Sequence, residues 1–237
     1  MLRVRPDGRT ALALLALVAA CATRERAADT GAAKPSPYVS EIPPWPSDTS
    51  AMATSHGGAF SAALRAKVPS CGATTPVVAP DAVGPLYPGQ PLPLVLGACP
   101  ERLLIWDWDD GAYLPAIAVR LGEALVVADL AGITADDVVS RVVVLDGART
   151  AEGIGPGSSL ADLQHAYGTP IWRRNQCSVG VSFESRPGLL ARIALPEEGS
   201  DAWTCDEIRR LARGETFAQF PHGSRVRWIG AELGGAS

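Results

Sequence analysis

Cysteine is the residue type that best equips this chain for covalent chemistry. Five occur, at positions 21, 71, 99, 177 and 205. Four of them form two couples, Cys71 with Cys99 and Cys177 with Cys205, each 28 residues apart. In an oxidising compartment such a set reads as a disulfide framework, and pairing nearest neighbours is one of three possible connectivities. Each bridge would remove loop-closure entropy from the unfolded chain, equivalent to about 3 kcal/mol. The fifth thiol, Cys21, then needs a different role. Metal chemistry has little to work with. The three histidines, His56, His165 and His222, stand at no ligand spacing. Asp107, Asp109 and Asp110 miss the calcium-loop pattern because Gly111 comes one position early, so they read as a solvated hairpin tip.

Two further patterns have the outline of catalytic or cofactor sites. Gly153-Ile154-Gly155-Pro156-Gly157 has the outline of a dinucleotide-binding loop. The third glycine of that loop falls on Ser158, Pro156 lacks the N–H that a phosphate would use, and no parallel strand–helix alternation surrounds it. Ser55-His56-Gly57-Gly58 has the outline of an esterase oxyanion loop, but no G-x-S-x-G is present to supply a nucleophile. No cofactor, no metal and no catalytic residue is expected, and a secreted hydrolase is the weakest of the function classes.

The elements that must position these residues begin with an export signal. Arg3, Arg5 and Arg9 precede an apolar stretch, Ala11 to Val18, and Val18-Ala19-Ala20 supplies small residues before Cys21. The stretch is about half of what a permanent membrane-spanning helix needs. Val18-Ala19-Ala20-Cys21 resembles the lipobox of bacterial lipoproteins, with Val where Leu is commoner. That resemblance implies removal of residues 1–20 and a diacylglycerol thioether, usually joined by a further acyl chain such as palmitate, on Cys21. With Ala22 rather than Asp next, it implies sorting to the periplasmic face of the outer membrane. The expected partners are the membrane, through this anchor, and another envelope protein. The remaining 217 residues carry 18 basic against 24 acidic side chains, with Lys only at 34 and 67. An acidic balance without a Lys/Arg run argues against nucleic acid or an anionic bilayer surface as the partner of the folded part.

Residues 21–68 read as a lipid-anchored tether rich in Pro, Ala and Ser, of roughly 40 Å end to end if flexible. A weak helical pattern at Phe60 to Val68 can dock on the folded part. The folded region divides into a first unit, 69–148, and a second, 149–232. Each opens with the same motif, Pro88-Gly89-x-x-Leu92 and Pro156-Gly157-x-x-Leu160. Each ends in a similar strand, Ser140 to Leu145 and Ser224 to Ile229. The expected fold is α+β: short helices packed on an antiparallel β-meander, in two diverged tandem units. In the first unit, Leu103 to Trp108 and Tyr113 to Arg120 flank the turn signal Asp110-Gly111, which sets Trp106 and Trp108 opposite Pro115 and Tyr113. Gly122 to Leu130 and Val138 to Leu145 follow as strands. Pro91 and Pro93 put a regular helix before them in doubt. In the second unit, Ser158 or Ser159 can cap a helix that buries Leu160, Leu163 and Tyr167 and stops at Gly168. Val179 to Glu184 and Leu189 to Leu195 form a hairpin, and a further helix fits Cys205 to Arg213, which a Cys177–Cys205 bridge would staple to the sheet.

The run from Gly157 to Pro170, GSSLADLQHAYGTP, resembles the signature of the SmpA/OmlA-like outer-membrane assembly lipoproteins, whose fold is shared by the tandem-repeat β-lactamase inhibitor protein. The matching positions are Gly157, the helix-starting Ser159, Leu163, Gly168 and Pro170. Thr150 to Ile154 is similar to the lead-in of many uncharacterised envelope lipoproteins. The first unit departs from the signature, with Val95 at the apolar place and Pro100 where the second glycine belongs. The resemblance implies a protein-binding or outer-membrane assembly and maintenance role without catalysis. The alternative is an inhibitor-like module that captures an extracytoplasmic enzyme. Trp106, Trp108 and Tyr113 are either core or the partner-binding surface, since large aromatics dominate interface hot spots.

Overall fold

The computed structural model describes residues 42–47, 52–53, 60, 62–109, 112–175, 178–196, 206, 210, 218 and 220–233. Cys21, Cys177, Cys205, the Asp110-Gly111 turn and nearly all of the helix expected at 205–213 lie outside these residues.

The protein is α+β, mostly sheet with a few short helices. The helices α1 (Ala62–Lys67), α2 (Leu92–Ala98) and α3 (Leu160–Tyr167) accompany the strands. The first hairpin is β4 (Leu103–Asp109) and β5 (Ala112–Leu121), continued by β6 (Ala124–Leu130) and β7 (Val139–Asp146). The second run is β9 (Ile171–Asn175), β10 (Ser178–Phe183), β11 (Arg186–Ala194) and β12 (Arg225–Glu232). Both runs join one ten-stranded sheet through an antiparallel pairing of their last strands, β7 with β12. Two short segments, β1 (Met52–Ala53) and β2 (Ser70–Gly72), add in parallel to β4 and β5. The sheet is therefore mixed, where an antiparallel meander was expected. The parallel additions come from the chain preceding α2, which a hydropathy pattern does not bring to the sheet.

Alternation along the strands gives two buried faces. On one, Val119, Val126, Val144, Ile229 and Ala191 form a cross-strand row under α2 and α3, which contribute Leu92, Val95, Leu96, Leu163 and Tyr167. On the other, Val127, Val143 and Leu190 pack with Phe60, Leu64 and Val68 from α1 and its flanks. The docking expected for Phe60 to Val68 is thus present. Within the stretch read as a tether, Trp45 is also buried, and its Nε1 donates to the Ile105 carbonyl on the β4 edge at 2.9 Å.

The doubt over a first-unit helix is resolved in favour of one. α2 starts directly after Pro91, with Pro93 inside its first turn. There a missing N–H costs nothing, because the first helical N–H groups have no intrahelical acceptor. The two units also share a local wiring. Gly89 N–H donates to Val139 O at 2.7 Å and Val139 N–H returns to Gln90 O at 2.9 Å. Gly157 N–H donates to Val226 O at 2.7 Å and Val226 N–H returns to Ser158 O at 2.9 Å. Both glycines have positive φ, 83° and 86°, which a side chain would disfavour. The strand lead-ins β3 (Val77–Val78) and β8 (Arg149–Thr150) pair in parallel as a separate two-stranded sheet, which fixes where Arg149 and Thr150 stand. Cys71 and Cys99 are disulfide-bonded, 28 residues apart, tying β2 to the end of α2.

Helix α3 is capped by Ser159, not Ser158. Ser159 Oγ accepts from Asp162 N–H at 3.1 Å, and Asp162 Oδ2 accepts from Ser159 N–H at 3.1 Å. Gly168 follows at φ 82°, with its N–H on Gln164 O. Replacing Ser159→Ala removes one reciprocal bond and exposes an orphan N–H. The expected loss is about 1 kcal/mol in urea unfolding, and Ser159→Asp should retain most of it.

Candidate functional site

A cleft of about 660 Å³ lies between the outer face of α3 and the loop that joins β8 to it. Its walls include Arg149, Glu152, Ser158, Asp162 and His165. The loop is built by turn chemistry. Gly153 takes φ 83°, and its N–H closes on Thr150 O at 2.9 Å. Ser158 Oγ accepts from Gly155 N–H at 3.0 Å and from Arg149 Nη1 at 3.1 Å, and Nη1 also donates to Gly153 O at 2.8 Å. One nitrogen of Arg149 thus clamps the loop, and the rest of its guanidinium stays exposed on the cleft wall.

Beneath the loop sits a polar chain. Thr150 Oγ1 and the Tyr167 hydroxyl are 2.6 Å apart, and the Tyr167 hydroxyl reaches Glu152 Oε2 at 3.0 Å. Each hydroxyl has one proton, so Thr150 donates to Tyr167 and Tyr167 donates to Glu152. The other carboxylate oxygen of Glu152 accepts from both Nη2 and Nε of Arg186. The Arg186 bond is the main reason that the Glu152 carboxyl is held down at about 2. Burial pushes the Tyr167 phenol up to about 12, and its donation to Glu152 acts in the same direction. Asp162 is held below the ordinary carboxylate range, first by its bonds to Ser159 and also by the charges of Arg225 and His165. These groups stay in fixed charge states near neutral pH, as in a structural network. A general acid or base would instead titrate near the working pH.

The Glu152–Arg186 pair gives a pH signature. A carboxyl whose folded-state value lies below its ordinary value of about 4.5 contributes stability above that value, and the contribution fades as pH falls toward about 2. Because the Arg186 side chain is 43% exposed, solvent screening reduces the expected contribution to about 1 kcal/mol. Glu152→Gln should therefore unfold at lower urea than the parent at pH 7, and the two midpoints should converge by pH 2.

The sequence-derived site residues fall into separate places. Gly157, Ser159, Leu163, Gly168 and Pro170 serve turn geometry, capping and burial along α3, and Gly157 lines the cleft. Trp106 and Tyr113 belong to the first hairpin, where Trp106 pairs with Pro115 and Trp108 with Tyr113, the facing expected from the turn signal. Trp106 is half-buried, and its Nε1 donates to Pro46 O at 2.7 Å, so the chain's own proline segment covers part of it. Tyr113 is 41% exposed at the hairpin end. Neither aromatic borders the cleft. The Glu152–Arg186 pair spans 34 residues and carried no local signal. Strand β9 was also missed, because Arg173 and Arg174 break its apolar alternation.

No family model matches this chain, and no curated protein does. Among solved structures, it is similar to the uncharacterized protein yfeY from Escherichia coli, at 18% identity and a TM-score of 0.42, over 66% of this chain and 99% of that one. Among the described residues, no helix is long and apolar enough to cross a membrane, and no group of His, Cys, Asp or Glu is arranged to hold a metal ion.

Proposed function

We propose that this chain is a non-catalytic bacterial envelope lipoprotein. In this reading it is anchored through Cys21, has two diverged copies of one α+β unit, and binds another protein in outer-membrane assembly or maintenance. One observation carries the reading. The Pro-Gly-x-x-Leu turn that opens each unit makes the same pair of bonds to the strand that ends it, at the same 2.7 and 2.9 Å. Two unrelated sequences would seldom share a left-handed glycine, two reciprocal bonds and a following helix, and duplication accounts for all three. It also supports the SmpA/OmlA-like resemblance, because the clearer copy of the motif is the one that carries the family signature.

The network beneath the loop supports a binding role over turnover. Its carboxylate and phenol are held far from neutral pH in opposite directions, and the polar groups left at the surface line an open cleft. Mass spectrometry of the chain made in its native host should find a new N-terminus at Cys21 bearing acyl mass. An intact Met1 would overturn the anchor and with it the envelope assignment. Affinity capture with the full chain from envelope extract should recover a component of outer-membrane assembly. Potent inhibition of an extracytoplasmic lactamase or protease would instead select the inhibitor-like alternative.

A further inference from the structure

We infer that the cleft beside α3 takes a carboxylate side chain of a partner protein, gripped by the outer fork of Arg149 with His165 as second donor. The inference rests on the protein-binding reading above and supplies the chemistry of its contact.

Most of the charges around the cleft are already matched. Glu152 is spent on Arg186 and on Tyr167. Asp162 accepts from the backbone and hydroxyl of Ser159 and sits in the field of Arg225. The loop's N–H groups are also used, since Gly153, Gly155 and Gly157 donate to Thr150 O, Ser158 Oγ and Val226 O. Arg149 differs. Among the described residues it faces no carboxylate, and only Nη1 is hydrogen-bonded, leaving Nε and Nη2 as donors. The clamp on Nη1 already fixes the guanidinium plane, so little side-chain entropy is lost when an anion binds. His165 lines the same cleft from α3, and its ring makes no hydrogen bond to a described residue.

Guanidinium donors in a fixed fork match the two oxygens of a carboxylate or of a phosphate. Charge selects between them. Three guanidiniums, Arg149, Arg186 and Arg225, stand against two carboxylates, Glu152 and Asp162, so these fixed charges leave about one net positive charge. A monoanion balances that. A dianionic phosphate would place its second charge against Glu152 and Asp162.

The test titrates the ¹⁵N-labelled full chain in detergent micelles with three probes. These are N-acetyl-glutamate N-methylamide, its glutamine counterpart and inorganic phosphate. The glutamate probe should produce saturable shifts at Gly153, Gly157, Ser158 and His165 in the millimolar range, and the glutamine probe should bind at least tenfold more weakly. Arg149→Gln should weaken the glutamate probe at least tenfold. Arg149→Lys, which keeps charge but not the fork, should fall between. The comparison of glutamate with glutamine uses the unaltered protein, so it holds even if Arg149→Gln disturbs the loop. Equal binding of the two probes, no saturation, or preference for phosphate each overturns the inference. Glutamate binding with no protein captured from envelope extract would overturn the protein-binding reading while leaving the carboxylate site standing. Protein capture without glutamate binding would do the reverse.

Discussion

Replacing Asp129→Ala lowers the stability of this protein by about 3–5 kcal/mol, the largest loss expected from any single side chain described here. Asp129 on β6 and Arg141 on β7 are cross-strand partners, and both are buried. Arg141 donates from Nε at 2.8 Å and from Nη2 at 2.5 Å to Asp129 Oδ2, and its guanidinium lies 5.1 Å from the Trp228 ring centroid. Truncating the carboxylate removes both of these bonds from a buried guanidinium that cannot deprotonate, and the contact with the indole face does not replace them. The charge is then the problem, more than the lost contact. The sharper expectation is therefore the double variant Asp129→Leu with Arg141→Met, which removes both charges and should recover most of the loss. Urea unfolding of the two single variants and the double variant forms a cycle that reads the coupling directly. A single-variant cost under about 1 kcal/mol, or a double variant no better than Asp129→Ala, would show that the pair is not held desolvated.

How much of this was legible in the sequence depends on the range of the interactions. The hairpin of β4 with β5 was readable because a turn signal and alternation fix its register, down to Trp106 opposite Pro115. Helix α3 was readable from its cap and stop, although choosing Ser159 over Ser158 needed coordinates, because both can accept from a first-turn N–H. The Cys71–Cys99 bridge followed from proximity. The Asp129–Arg141 pair was not readable. An aspartate near the end of a strand looks exposed, and only the covering layer of Phe60, Leu64 and Val68 makes the second face of the sheet a core. The cleft was invisible for the same kind of reason. Arg149, Glu152 and Arg186 are remote or irregular in spacing, and no periodicity joins them. Joining the two runs into one sheet was likewise beyond pattern reading, since nothing in the sequences of β7 and β12 marks each as the other's neighbour.

That junction sets the second large effect. Gly230→Ala is expected to cost about 3 kcal/mol or more, although one methyl group is all it adds. Gly230 sits in β12 opposite Val143 on β7 and Leu190 on β11. A Cβ there would overlap the carbonyl oxygen of Val142 and lie 2.8 Å from Val143 Cα. Both obstacles are backbone, so no rotamer change relieves them, and the strands must part or shift register. The same substitution at Gly180 provides the contrast. There the nearest atom is the Arg173 Cβ at 3.2 Å on the edge strand β9, which can give way. Gly180→Ala should therefore cost about 1 kcal/mol or less. Native-state hydrogen exchange makes the expectation local. In Gly230→Ala, protection should fall first at the amides that bond β7 to β12, while the β4–β5 and β10–β11 ladders keep theirs. Uniform loss across all ladders would mean that the two runs of strands cannot stand apart even transiently. Unchanged stability would mean that the close approach of β7 to β12 at Gly230 does not exist in solution.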